Sequence, residues 1–256
     1  MIPKIIHYVW VGPQPLPDID RRRVDAWRNL LPDWEIRSWG NDDVDFSSRY
    51  LRAAYAVRAW NRVSDYMRVD VLSRFGGVYL DTDVDLIQSL DPLLNHGAFV
   101  GFQAGDELPD EMVNGAVFGA KPNHWLPTRL RNYLDDQLDG STNSGSFSGP
   151  GLLTKMLRER GLQSSSEAPL QIDDLTIFPK PVFYPYSWLE QYSEDVITTE
   201  TFAVHRWAAT WQPKATFPLK LRRALLRSFA RYAPQLALRV ACALVKRGNR
   251  PTTKVP

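Results

Sequence analysis

The sequence has a single cysteine, Cys242, which excludes an intrachain disulfide framework and fits a reducing compartment. It also has no acidic residue after Glu200. Residues 201–256 hold twelve Lys or Arg and no Asp or Glu, whereas all 29 acids lie in the first 200 residues beside 19 bases. The formal net charge of +2 therefore conceals an acidic body and a basic tail. Long apolar runs are missing too. Met1-Ile2-Pro3-Lys4 leads straight into a strand-like segment, without the charged leader and apolar stretch of a signal peptide. The stretch Leu236 to Val245 contains Arg239 and is too short to cross a bilayer. These absences predict a cytoplasmic protein with no internal repeat.

What is present suffices for one sizeable domain: 256 residues, 44% of them hydrophobic. Ile5 to Val11 is a β-rich run closed by Gly12-Pro13, Asp20 to Leu30 is helical, and Trp34 to Trp39 alternates as a strand does. Strand, helix, strand at that spacing opens an α/β fold. Helical pattern continues from Ser47 to Phe75, with Ser64 read as the N-cap of a new helix whose Met67, Val71, Leu72 and Phe75 face the core. Gly76-Gly77 ends that helix, and Val78-Tyr79-Leu80 is a short strand running into Asp81. Further strands are predicted at Ala98–Phe102, Ala116–Gly119, Leu175–Pro179, Pro181–Pro185 and Phe202–His205. Trp125–Leu138 reads as a helix, and Asn143–Gly151 as a Gly/Ser loop before another.

Asp81 and Asp83 are two carboxylates one residue apart at the end of a buried strand. That is a hard-oxygen site suited to Mg²⁺ or Mn²⁺, which can bridge a diphosphate and neutralise charge on it as it leaves. Spacing alone does not select it, because Asp-x-Asp occurs four times: Asp18/Asp20, Asp43/Asp45, Asp81/Asp83 and Asp83/Asp85. Context does. Only Asp81 follows an apolar strand preceded by Gly-Gly and by a helix carrying Asp65 and Arg68 on one face.

Ser64-Asp65-Tyr66-Met67-Arg68, Leu72 and Gly76-Gly77-Val78-Tyr79-Leu80-Asp81-Thr82-Asp83 resemble the DXD region of glycosyltransferase family 32. That family includes capsular sugar transferases and mannosyltransferases, and its core is similar to that of the clostridial glucosylating toxins. Ile2 to Gly12 resembles the family's opening strand, Asn114 to Gly119 its middle motif, Ser148 to Gly151 its Gly-Pro loop, and Val204 to Trp211 its His-x-Trp-x-x-Ser-Trp element. Thr210 stands where serine is usual, and Arg206 where a second histidine is common.

The resemblance implies a GT-A type, Rossmann-like nucleotide-sugar-binding domain with a mixed central sheet over residues 1–212. It further implies a retaining glycosyltransferase that moves a sugar from a nucleoside-diphosphate donor, UDP-linked by preference and GDP-linked as second choice. The acceptor would be a hydroxyl of a glycan or lipid-linked molecule, in surface polysaccharide or glycolipid synthesis. Asp65 and Arg68 would hold sugar hydroxyls and a phosphate. Asp83 would be the main ligand of Mn²⁺ (or Mg²⁺), Asp81 would contact ribose or the cation, and His205 would complete the coordination. Val9 and Trp10 would meet the base, while Asn114, Gly149 and Trp211 would line the sugar; His7 is assigned to structure.

Two rival readings remain at this stage. Leu80-Asp81-Thr82-Asp83-Val84 also fits the nucleophile motif of haloacid-dehalogenase-type phosphatases, with Gly105 to Asp110 mimicking a later one, although only some twenty residues separate them. A non-catalytic carbohydrate-binding protein would use the nine Trp and ten Tyr but not the acidic constellation. In residues 213–256, Lys220, Arg222, Arg223, Arg227 and Arg231 interleave with Leu219, Leu225, Leu226 and Phe229. This pattern predicts a basic amphipathic helix at the anionic inner face of the cytoplasmic membrane; no nucleic acid is expected.

Overall fold

The computed structural model describes residues 1–103, 112–137, 149–188 and 190–208. In chain order these form β1 (Ile5–Val9), α1 (Asp18–Leu30), β2 (Glu35–Trp39), α2 (Arg49–Ala56), α3 (Trp60–Phe75), β3 (Gly77–Leu80), β4 (Val84–Leu86) and β5 (Ala98–Phe102). There follow β6 (Val113–Ala120), α4 (Trp125–Gln137), α5 (Gly149–Glu159), β7 (Leu170–Ile172), β8 (Leu175–Phe178), α6 (Lys180–Phe183) and β9 (Ala203–His205). Seven strands make one mixed sheet in the order β2-β1-β3-β6-β5-β8-β7, and β4 pairs β9 in a small second one. β2, β1 and β3 run parallel, whereas β6 is antiparallel to both β3 and β5.

Both faces of the large sheet are covered, which is why its central strands read as near-continuous apolar runs rather than as clean alternations. Tyr79 points into a core shared with α3, α4 and α5 through Met67, Leu130 and Leu153. Val78 and Leu80, on the opposite face, pack with Val24 and Trp27 of α1 and Phe183 of α6. The acid pair leaves this frame at the end of β3, where the parallel half of the sheet meets the antiparallel β6. Outside the carboxyl ends of parallel strands, at such a reversal, open α/β sheets bind their ligands.

The Gly76-Gly77 break is as predicted, and its necessity is steric. Gly76 (φ +64°) closes α3 by donating to the Leu72 carbonyl, and Gly77 (φ +97°) lies so near β1 that a Cβ would sit 2.6 Å from the Ile5 carbonyl oxygen. Two expectations are corrected. Ser64 is not an N-cap, because α3 begins at Trp60, one turn earlier, after Arg58 in the left-handed region. Its hydroxyl instead meets the Tyr79 phenol at 3.1 Å. Pro181–Pro185 does not form a strand either. Lys180–Phe183 is a helical turn with proline in its first positions, where a fixed φ and a missing N–H cost nothing. β4 and β7 had no expected counterpart.

Candidate functional site

α3 and β3 bring the first half of the site together. Arg68 is 8% exposed; its guanidinium donates to Asp81 Oδ1 at 2.8 Å, stands 3.4 Å from Asp65 Oδ1, and lies 4.6 Å from the centre of the Tyr79 ring. Burial pushes the Arg68 pKa down, but Asp81, Tyr79 and Asp65 outweigh it and the net direction is up, so the group stays charged. On its other side is Gly115, where a Cβ would come within 3.1 Å of the guanidinium. Asp65 and Arg68 are therefore a largely buried pair and not a solvated one.

β4 and β9 supply the second half. Asp83 Oδ1 is 3.2 Å from His205 Nε2, Asp83 Oδ2 accepts the Ala208 N–H at 2.7 Å, and the Asp83 carbonyl accepts the Arg206 N–H at 2.9 Å. His205 Nε2 is also 3.9 Å from Asp81 Oδ2. One ligand atom from each of Asp81, Asp83 and His205 lies within 4.8 Å of the others.

The donor set fits a divalent cation. Two carboxylates and an imidazole are all divalent-cation ligands, and His205 Nε2 and both acids converge while the buried His205 Nδ1 has no hydrogen-bond partner. Burial pushes Asp83 upward, but the His205 imidazole and its hydrogen bond outweigh this and hold the carboxyl at about 2. Burial likewise pushes His205 down, and Asp83 then Asp81 more than offset it. A cation binds the neutral imidazole, so with the His205 pKa shifted upward its affinity should rise with pH.

Other expected residues fall out differently. Val9 is buried in the core, and Trp10 is half-buried with its indole N–H donating to the Gln14 carbonyl at 2.8 Å. Asn114 is buried and engaged on both sides, donating to Gln103 Oε1 at 2.7 Å and accepting the Ala116 N–H at 2.8 Å. Gly149 (φ +56°) opens α5 beside the Asp65 carboxylate, and a cleft lined by Asp65, Arg68, Gly115 and Gly149 lies there. His7 is structural, its ring bonded to the Gly76 carbonyl and the Trp39 indole. Trp211, Thr210, Gly105 to Asp110 and the tail 213–256 lie outside the described residues.

Some participants were not legible at the outset. Tyr79 and Ser64 form the floor under Arg68, and Trp207 packs on His205 with ring centroids 4.3 Å apart, its backbone at φ +55°. Asp85, counted only as a rival Asp-x-Asp member, accepts from Arg23 and Arg206. The signal for Arg206 was its departure from the family histidine.

The fold is of the GT-A type. Residues 17–100 match the family model described as glycosyltransferase sugar-binding region containing DXD motif, and the chain carries that region. It is 23% identical to an uncharacterized glycosyltransferase of Acanthamoeba polyphaga mimivirus, over 83% of this chain and 85% of the relative. It is 29% identical to lactosylceramide 4-alpha-galactosyltransferase of Mus musculus over 88% of this chain, spanning only 57% of that protein's length. The solved PaToxG glycosyltransferase superposes with a TM-score of 0.50 at 16% identity, covering 62% of this chain and 69% of that one, a likeness of fold. The matched region and the fold favour a glycosyltransferase over the phosphatase and binding-protein alternatives.

Asp65 supplies a pH prediction. Burial raises its carboxyl to about 6 against the opposing Arg68, with Asp81 adding to the rise. A raised carboxyl contributes stability that is full below its ordinary value of 3.8 and lost as pH rises through about 6. If the ionised form is the one that accepts hydrogen bonds from a sugar, kcat/KM should fall below pH 6 with an acidic limb absent from Asp65→Asn; an unchanged limb in the variant would refute it.

Proposed function

We propose that this glycosyltransferase is metal-dependent and retaining, and that it transfers a hexose from a UDP-sugar, with a GDP-sugar as second choice, to a hydroxyl of a glycan or lipid-linked acceptor. The convergence of Asp81, Asp83 and His205 beside the Arg68–Asp65 pair carries this reading. When bound there, a Mn²⁺ or Mg²⁺ ion would supply charge neutralisation for the departing diphosphate. Arg68 adds a fixed, buried positive charge on the same side, worth far more there than in water because nothing must reorganise. Asp65, at the cleft with Gly149, would accept from sugar hydroxyls, and Trp10 at the end of β1 would offer its ring to the base. Trp211 and Asn114 are assigned to the sugar side, Asn114 through the strand it braces. The likeness to the mouse lactosylceramide 4-alpha-galactosyltransferase supports a lipid-linked acceptor and glycolipid synthesis over capsule.

The test is thermal unfolding with UDP, GDP and their sugar conjugates, with and without Mn²⁺. A ligand at a hundredfold its Kd stabilises the folded state by about 2.7 kcal/mol. UDP with Mn²⁺ should raise Tm, UDP alone much less, and Asp83→Ala should remove the metal-dependent part. Equal shifts with and without metal would count against the cation.

The eleven positive charges of residues 213–256, with no acid among them, support a peripheral contact of that segment with the inner face of the cytoplasmic membrane. Each Lys or Arg close to an anionic surface contributes about 1 kcal/mol. Phosphatidylserine liposomes should pellet the chain at low salt and not at high salt, and removal of 213–256 should abolish pelleting; binding indifferent to lipid charge would refute it. Among the described residues no helix is long and apolar enough to span a bilayer.

A further inference from the structure

β9 carries His205, yet it pairs with β4 over only three residues on each side. A two-stranded ribbon that short is marginal by itself. Contacts outside the ribbon also hold His205 against Asp83, among them ring packing by Tyr184 and Trp207.

The Asp85 carboxylate divides its two oxygens between two arginines. Oδ1 accepts from Arg23 Nε of α1 at 2.7 Å, and Oδ2 accepts from Arg206 Nε just after β9. Arg23 in turn donates to Asp20 Oδ1 at 2.6 Å, and Asp20 is fully buried with its other oxygen unpartnered. Arg206 lies over the Tyr192 ring, 3.6 Å from its centre, which shields it from water on that side. α1 takes a second hold on the same strand, through the Trp27 indole N–H on the Val84 carbonyl at 3.0 Å. Val84 is paired with His205 in the ladder, and the Arg206 N–H donates to Asp83, so the charged chain flanks the acid and the imidazole directly.

We propose that Asp20, Arg23, Asp85 and Arg206 form a clamp that fixes the Asp83–His205 half of the site to α1, making Asp85 and Arg206 positioning residues for that pair. Each planar guanidinium presents a fixed fork, so the clamp dictates angle as well as distance. An asparagine at 85 offers one acceptor oxygen and cannot serve both arginines. The metal arm of the test rests on the cation reading above; the amide arm does not.

The experiment compares the full chain with Asp85→Asn, Arg206→Gln and Arg206→Lys, and with Arg160→Gln, which removes an exposed ion pair to Asp173 elsewhere. Mn²⁺ alone is titrated and the free aquo ion read by electron paramagnetic resonance. Residues that orient metal ligands from behind commonly change affinity by about 10- to 100-fold. Asp85→Asn and Arg206→Gln should each weaken Mn²⁺ by at least about tenfold, the pair together no further, with Arg206→Lys between and Arg160→Gln unchanged. In the metal-free protein, hydrogen exchange at the Arg206 and Ala208 amides, both bonded to Asp83, should accelerate in the clamp variants more than in the central strands. Wild-type Mn²⁺ affinity in Asp85→Asn, or protection lost uniformly through the sheet, overturns the clamp. Should the wild-type chain not hold Mn²⁺, the cation reading falls, and the two amides still decide whether the clamp positions Asp83. Should Asp85→Asn fail to fold, Arg206→Lys carries the same comparison.

Discussion

Asp83→Ala should lower transfer by about a thousandfold, and chelation of divalent ions should do the same to the unaltered protein. A metal acting on a leaving phosphate contributes several kcal/mol, and each 1.36 kcal/mol is tenfold in rate, so a loss near 4 kcal/mol corresponds to that factor. Asp83 is the acid most firmly set in place, with one oxygen on the Ala208 N–H and the other facing His205. Asp83→Asn keeps the shape but removes the charge, so it should fall nearly as far. The stability consequence has a definite sign. A carboxyl held at about 2 stabilises the fold above its ordinary 3.8 and ceases to do so as pH falls through 2, so both variants should lose part of their neutral-pH stability but little at very low pH. Asp18→Ala provides the control, because Asp18 belongs to another Asp-x-Asp pair and makes only a surface contact with Arg21. It should leave the rate within about twofold, as solvated pairs contribute at most about 1 kcal/mol. Steady-state transfer with and without added Mn²⁺ measures all of these, and near-normal turnover in Asp83→Ala would remove the metal assignment.

The fate of the four Asp-x-Asp pairs shows how far the sequence reaches. Asp43 and Asp45 close local turns by accepting the Gly40 and Ser47 N–H groups. Asp20 is spent on Arg23 and Asp85 on two arginines, so the context of an apolar strand and a double glycine singles out the one pair that meets His205. That context was legible because β3, buried on both faces, must be apolar, and because Gly77 has β1 pressed against it. The local signals failed where a tertiary partner overrode them. Ser64 followed by Asp65 looks like a helix start, but its hydroxyl is claimed by Tyr79 from the next strand. Asp85 and Arg206 are 121 residues apart, and no periodicity announces such a bond. Motif likeness placed Asn114 beside the sugar, and no local pattern announced its bonds to Gln103 and to the backbone of its own strand.

Arg68→Ala should damage both stability and activity. The guanidinium is the one charge shared by Asp65 and Asp81, and it lies over Tyr79 in a space that Gly115 leaves open for it. Removing it strands two partly buried carboxylates facing each other, and breaking a buried pair from one side costs about 3–5 kcal/mol. For a chain of this kind that is a large share of a total stability of about 5–15 kcal/mol. Asp65, already raised to about 6 against the opposing Arg68, should rise further without it, which shifts the loss toward higher pH: Arg68→Ala should be closest to the unaltered protein near pH 4 and furthest from it near pH 8. Arg68→Lys should recover part of the stability, since it restores a charge, but little of the activity, since a point charge cannot face Asp65 and Asp81 together as the planar fork does. Urea unfolding at the two pH values, alongside transfer rates for Arg68→Lys, distinguishes the two contributions. If Arg68→Lys recovered the rate fully, charge alone would suffice and the geometry of the fork would be irrelevant. If Arg68→Ala lost the same stability at both pH values, the arginine would be holding the site by packing on Tyr79 rather than by neutralising the two acids.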